Sequence, residues 1–264
     1  LYLYKSSSII EINSKNKFLT FWNGKEKDPI LFGVDLKTFF YQPSLLALML
    51  INFSFAEYQY RTFGEITIQM VTYQIFWWLY LFTHYIREDF MLWTFDIIED
   101  HFGYMLVFGD LVYVPFLYSL CGWFIADNQN NLSGIWIIIT LILFFIGLYT
   151  FRESNWQKFD YKKYGNQINI WFKKPQLLEK KLLISGFWGI GRHINYTGEI
   201  LVYLTIALCT GTQSIIPYFL PLSLFILLSQ RASRDDIRCK KKYGDQLWNK
   251  YCNIAKFRMI PFIY

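Results

Sequence analysis

Five stretches of this chain, 39–57, 66–86, 104–126, 134–151 and 199–230, contain only three residues with a formal charge: Glu57, Asp110 and Glu199. A bilayer core offers no water to a peptide group, so a segment crossing it must satisfy its own backbone, as a helix does. Continuous apolar runs of about 20 residues are long enough to cross as helices. The last run is broken near Gly211 to Ser214 and at Pro217, so its halves form a short helical hairpin. The expected fold is therefore all-α: a polytopic membrane protein with about six transmembrane segments, the last two being that hairpin.

Composition agrees. Charged residues make up 17% of the 264-residue chain, against about 25% in a soluble domain. Phe, Tyr, Trp, Ile and Leu take up the difference. The net charge of +6 is the usual basic excess of cytosolic membrane loops. The basic residues flank apolar runs and form no separate domain, so no nucleic acid is expected as a partner. Cys121, Cys209, Cys239 and Cys252 show no CxxC spacing and no His at metal-binding spacing. Neither a disulfide framework nor a zinc site is expected. The first forty residues lack the basic-then-apolar pattern of a signal peptide.

Charge also orients the chain. Segments 152–192 and 231–258 are both rich in Lys and Arg, whereas 127–133 has neither. The positive-inside rule puts the two basic segments in the cytosol and 127–133 on the opposite side. Residues 1–38, with six lysines, then read as a cytosolic connector to a membrane domain at 39–264. Asn131, in an Asn-Leu-Ser triplet on the far side, is a candidate glycosylation site.

Three polar strings interrupt the apolar sequence, and charge beside membrane-grade sequence usually marks function. The first, Asp96 to Pro115, places Asp110 inside an apolar run. A carboxylate there costs about 2.5–3.5 kcal/mol on insertion scales, so it faces a polar cavity or pairs with a base. In a cavity it suits a proton donor or relay. The second string, Ser185 to Glu199, joins Gly186, Gly189, Gly191 and Gly198 to the flat side chains of Phe187, Trp188 and Tyr196. Arg192 can grip a phosphate through two bonds, and His193, Asn195 and Tyr196 can donate hydrogen bonds. An interfacial aromatic belt with an Arg anchor is the plainer reading. The third, Arg231 to Tyr243, puts Arg234, Asp235, Arg238 and Lys240 to Lys242 on one helix. A stop-transfer cluster explains the cations, but acidic Asp235 and Asp236 do nothing for anchoring. Together the strings suit an anionic cofactor held in a pocket at the cytosolic face.

In this order the three strings closely resemble the sterol reductases of the endoplasmic reticulum membrane, a family that includes the C14, C7 and C24(28) sterol reductases and the lamin B receptor. The resemblance runs from about Gly24 to the closing Phe257 to Tyr264. It implies a multi-pass endoplasmic reticulum protein, here its C-terminal part, with 152–264 as the NADPH-binding portion. It carries cofactor contacts onto Lys158, Leu183, Trp188, Asn195, Tyr196, Asp235, Cys239, Tyr243 and Tyr251. Lys162 stands where the family usually has Arg, which keeps a cation but loses the two-pronged phosphate contact. One extra residue lies between Tyr243 and Tyr251.

The implied reaction reduces a ring double bond of a sterol taken from the bilayer, with protonation first and hydride from NADPH second. By position the acid lies among Asp110, Tyr113, His101 and Tyr104. The run Met105 to Phe116 and the ending Ile260 to Tyr264 look like C14 reductases, whereas Gly186 to Gly189 and Cys121-Gly122 lean toward C7. Two other readings stay open. A receptor-like protein without catalysis would share the membrane domain. A membrane methyltransferase using S-adenosylmethionine would share Arg192-His193 with Tyr196 and Gly198, but not the Asp96–Pro115 string. Membrane lipids are the remaining expected partner.

Overall fold

The computed structural model describes residues 16–128 and 132–263. Asn131, the candidate glycosylation site, lies outside the described residues. The chain divides between residues 131 and 132 into two compact units.

The first unit opens with a short helix, α1 (Lys17–Asn23), and a two-stranded antiparallel ribbon, β1 (Ile30–Leu31) and β2 (Val34–Asp35). Helix α2 (Leu36–Phe63) starts where Asp35 caps the Thr38 N–H at 2.8 Å and stops at Gly64 in the left-handed region. Helix α3 (Ile68–Tyr85) is capped by Thr67. Trp77, Tyr73 and Phe76 of α3 fill the core. After the short helix α4 (Phe95–Ile98), helix α5 (Tyr104–Phe108) runs into a π-helical segment, Gly109–Leu117, and then into α6 (Leu120–Ala126). Pro115 lies inside the π segment and has no N–H to give to the preceding turn. Wide turns of this kind concentrate at functional sites.

The second unit is built on α7 (Gly134–Tyr164). A loop and the hairpin β3 (Leu177–Leu178) and β4 (Leu182–Leu183) lead to the short α8 (Phe187–Ile190). Then come α9 (Ile194–Leu208), α10 (Phe219–Tyr243) and α11 (Asp245–Ile254). Helix α9 lies against α7 at glycine contacts. A Cβ on Gly198 would strike the backbone N of Phe151, and one on Gly147 would stand 3.0 Å from the Val202 N. Each glycine is the notch for the other helix's backbone.

Every apolar run of the sequence is helical. Among the described residues, three helical stretches are long and apolar enough to cross a membrane: Leu36–Phe63, Tyr104–Ala126 and Gly134–Gln167. The other three expected spans correspond to α3, α9 and α10. Helix α9 is apolar but shorter. Helix α3 carries Gln, Thr and His among its apolar residues, and α10 passes without a break from apolar sequence into the charged string. The chain break expected near 211–217 separates α9 from α10, which pack on each other.

Candidate functional site

In the second unit the two C-terminal polar strings meet. The indole N–H of Trp188 donates to the Ser154 carbonyl of α7 at 2.8 Å, which turns the buried ring under Lys158. The Lys158 ammonium sits 4.1 Å from the ring centroid, within cation–π range. Lys158 and Lys162 near the end of α7 lie within electrostatic reach of Arg238 and Lys242 at the end of α10. Asp235 is the carboxylate among them, buried and bonded to the Arg238 guanidinium at 2.7 and 3.0 Å. These four basic side chains and one carboxylate share one region of the second unit.

Beside it stands a row of hydrogen-bonding groups. The Asn195 amide donates to Asn155 Oδ1 at 3.0 Å, and its own Oδ1 is buried with no partner among the described residues. His193 is buried, stacked on Tyr196 with ring centroids 5.0 Å apart and planes 7° from parallel. Its Nε2 has no hydrogen-bond partner among the described residues and lies 3.9 Å from Asp236 Oδ1. Burial pushes the His193 pKa below its ordinary value, against the opposing pull of Asp236 and Asp235. A buried polar atom without a hydrogen-bond partner, such as Asn195 Oδ1, costs free energy.

Arg192 is already engaged. Its Nη1 donates to the carbonyls of Ala255 at 2.9 Å and Lys256 at 3.3 Å, and its Nε lies 3.3 Å from Asp236 Oδ1. Asp236 Oδ2 meets Arg258 Nε at 2.8 Å. Burial works to raise the Asp236 pKa, but His193, Arg192 and Arg258 outweigh it and hold the carboxyl below its usual range. Arg192 thus joins the start of α9 to α10 and to the C-terminal segment.

The remaining positions pack in nearby hydrophobic clusters of the same unit. Leu183 packs with Ile170 and Trp188. Tyr251 is buried and donates to the Trp188 carbonyl at 3.2 Å. Tyr243 stacks on Trp248 at 6.5 Å, and Cys239 packs on the same cluster. Burial, helped by Asp235, pushes the Cys239 thiol up to about 11, so it stays protonated at neutral pH. Two residues outside the sequence-derived set, Asn155 and Gln157, also take part, as does Asp236 of the third string. Asn155 and Gln157 hold Asn195 and the Phe187 N–H, and Asp236 holds the arginines. The signal for the first two was their position just before Lys158 on one helix.

The four candidate acids of the first unit have different surroundings. His101 Nδ1 lies 3.3 Å from the Lys25 carbonyl. Tyr104 is partly exposed and stacks on Phe21, Trp22 and Phe108 at 5.2–5.8 Å. Tyr113 packs edge-on to Tyr118, which stacks on Trp77. Asp110 alone of the four is buried, on the π segment, and its Oδ2 has no hydrogen-bond partner among the described residues. Gln69 of α3 is a further buried polar side chain whose amide atoms have no hydrogen-bond partner there.

Comparison with known proteins bears on this arrangement. The model of the Ergosterol biosynthesis ERG4/ERG24 family matches residues 7–264. The chain belongs to that family. It is 38% identical over 260 residues to the Delta(14)-sterol reductase of Arabidopsis thaliana, covering 98% of this chain and 70% of the relative. It is 38% identical over 255 residues to Delta(14)-sterol reductase erg24 of Schizosaccharomyces pombe, covering 95% of this chain and 60% of that one. With the 7-dehydrocholesterol reductase of Xenopus laevis it shares 36% identity over 263 residues, covering 94% of this chain and 55% of the relative. The chain thus spans little more than half the length of the last two. The match of this ERG4/ERG24 family member takes in all three polar strings.

Proposed function

We propose that this chain is the nucleotide-binding portion of an NADPH-dependent sterol reductase of the endoplasmic reticulum membrane that acts on the C14–C15 double bond. The observation that carries the cofactor reading is the cluster of basic side chains at the ends of α7 and α10. Lys158, Lys162, Arg238 and Lys242 are basic groups that can meet phosphates, while Asn195 Oδ1 is buried with no hydrogen-bond partner among the described residues. These groups fit an anionic dinucleotide. When bound, NADPH supplies a hydride. The protein's own contribution is to hold the nucleotide. Trp188 gives Lys158 a fixed seat, Asp235 holds Arg238 in place, and Arg192 pins the C-terminal segment.

Asp110 is the proposed proton donor to the olefin. It is the buried carboxyl of the four candidates, in a segment where the backbone opens by one residue per turn. A general acid of this kind contributes about 10²–10⁴-fold. The C14 assignment follows the names of the 38%-identical relatives. Reduction at C7 is the second reading, favoured by the 36%-identical 7-dehydrocholesterol reductase.

Sterol profiling in yeast lacking its own C14 reductase tests the proposal. Expression of the protein should clear Δ8,14-dienes, and an Asn195→Ala, Tyr196→Phe variant should not. Persistence of the dienes, with clearance of Δ7 sterols in a second host, would move the assignment to C7. Failure in both hosts with the protein well expressed would overturn the reductase reading.

A further inference from the structure

Between α7 and β3 the chain makes a two-residue hairpin whose tip is Trp171-Phe172. Ile170 and Lys173 exchange both backbone hydrogen bonds, at 2.8 and 3.1 Å. Both tip residues have positive φ, 47° and 66°. Turns of this shape normally take Asn or Gly, because a bulky side chain is strained there. Phe172 is fully exposed, and Trp171 is exposed over 43% of its surface. Strain at two consecutive aromatic residues, the second of them fully exposed, calls for a contact outside the chain.

The position of the tip identifies that contact. Helix α7 continues for about three and a half turns past the end of its apolar run at 151, but the loop doubles back beside it. Trp171 packs edge-on to Phe187 at 5.0 Å, and Phe187 packs on Tyr149 at 6.1 Å. Tyr149 is an exposed residue within the membrane-spanning stretch. Two ring contacts therefore return the tip to the end of the lipid-facing part of α7. Charge fits the same place. Residues 162–181 hold six lysines and one acidic residue, Glu179, which Lys250 engages at 2.7 Å. Lys173 and Lys174, directly after the tip, are exposed.

We propose that the 170–174 hairpin is an interfacial anchor: Phe172 and Trp171 enter the headgroup–acyl boundary of the bilayer, and Lys173 and Lys174 meet anionic phospholipid headgroups. Aromatic rings and lysines are the residues that settle at this depth, and anionic lipid attracts basic segments beside a span.

The test is a Phe172→Cys variant of the protein, labelled with an environment-sensitive fluorophore and reconstituted in phosphatidylcholine vesicles with or without phosphatidylserine. Unsubstituted protein labelled in parallel gives the background from Cys239 and Cys252. Gln167→Cys, exposed on the same loop, is the control. The expected result is blue-shifted emission at 172, quenched by a shallow spin-labelled lipid, with both effects larger when phosphatidylserine is present. Adding Lys173→Glu and Lys174→Glu should abolish that increase. Emission at 172 matching the Gln167→Cys control in both membranes would overturn the proposal, as would an increase that survives the charge reversal. Because Phe172 is fully exposed, its replacement leaves the packing intact. The readout is independent of sterol reduction.

Discussion

Asp110 of the first unit and Asp236 of the second are carboxyls in opposite surroundings. Within the helices of the first, Asp110 and Gln69 are buried with oxygen or nitrogen atoms that find no hydrogen-bond partner among the described residues. In the second, Arg192, Asp236 and Arg258 form a chain of ionic contacts linking the start of α9, the middle of α10 and the C-terminal segment. The difference separates two uses of charge. A carboxyl left open inside apolar helices contributes little to the fold and is available for chemistry. A carboxylate between two arginines is structural, because removing it leaves two cations facing each other.

Asp110→Asn tests the first half of that contrast and carries the largest expected effect. It should lower sterol reduction by about 10²–10⁴-fold, while the melting temperature in detergent stays near that of the parent. A variant that unfolds instead would make Asp110 a structural group and erase the distinction between the two carboxyls.

Gly198→Ala probes the scaffold on which the second unit's charges are arranged. Its new Cβ meets the Phe151 backbone, which cannot rotate away as a side chain could. A loss of about 3 kcal/mol is expected, read by thermal unfolding. A loss below about 1 kcal/mol would mean that α7 and α9 separate easily.

Asp236→Ala should cost about 2 kcal/mol, and Asp236→Asn, which keeps the shape, somewhat less. Adding Arg258→Ala should recover part of the loss, because one of the two cations is then gone. Strict additivity in that double variant would deny the coupling.

The smallest effect is a pH dependence. Burial lowers the His193 pKa in the folded state, so its neutral form is favoured there. The stability it contributes is complete above the unfolded value of about 6.5 and falls as pH drops through the folded value. Asp236 has the same sign by another route. Its carboxyl is held below the usual range, so its contribution survives until the pH falls below about 4. A His193→Gln variant should therefore lose less stability between pH 7 and 5 than the parent, and Asp236→Asn should change only the more acidic limb. Parallel curves for His193→Gln and the parent would exclude His193 as the titrating group.

Much of this was legible beforehand. The apolar runs marked every major helix, and the Gly211–Pro217 break marked the end of the α9 segment. Lys158, Trp188 and Asp235, read from separate parts of the sequence, lie together in the second unit. Less was visible in the first unit. Four candidate acids lay near one another in sequence, and only their burial separated Asp110 from His101, Tyr104 and Tyr113. Arg192 looked like a phosphate ligand, because nothing local shows that the carbonyls of Ala255 and Lys256 would take its guanidinium.

Sequence by itself determined where the helices lie, because backbone bonding in lipid is local and an apolar run must satisfy its own peptide groups. It determined the basic character of the second unit's site for the same reason: lysines cluster where helices leave the membrane. Tertiary structure alone decided which charge answers which. Asp235 and Asp236 are neighbours of identical chemistry, but one step along a helix rotates a side chain by about 100°. That step turns Asp235 to Arg238 and the lysines of α7, and Asp236 to Arg192 and Arg258. Which carboxylate serves the basic cluster and which holds the C-terminal segment depends on what packs against each face of α10.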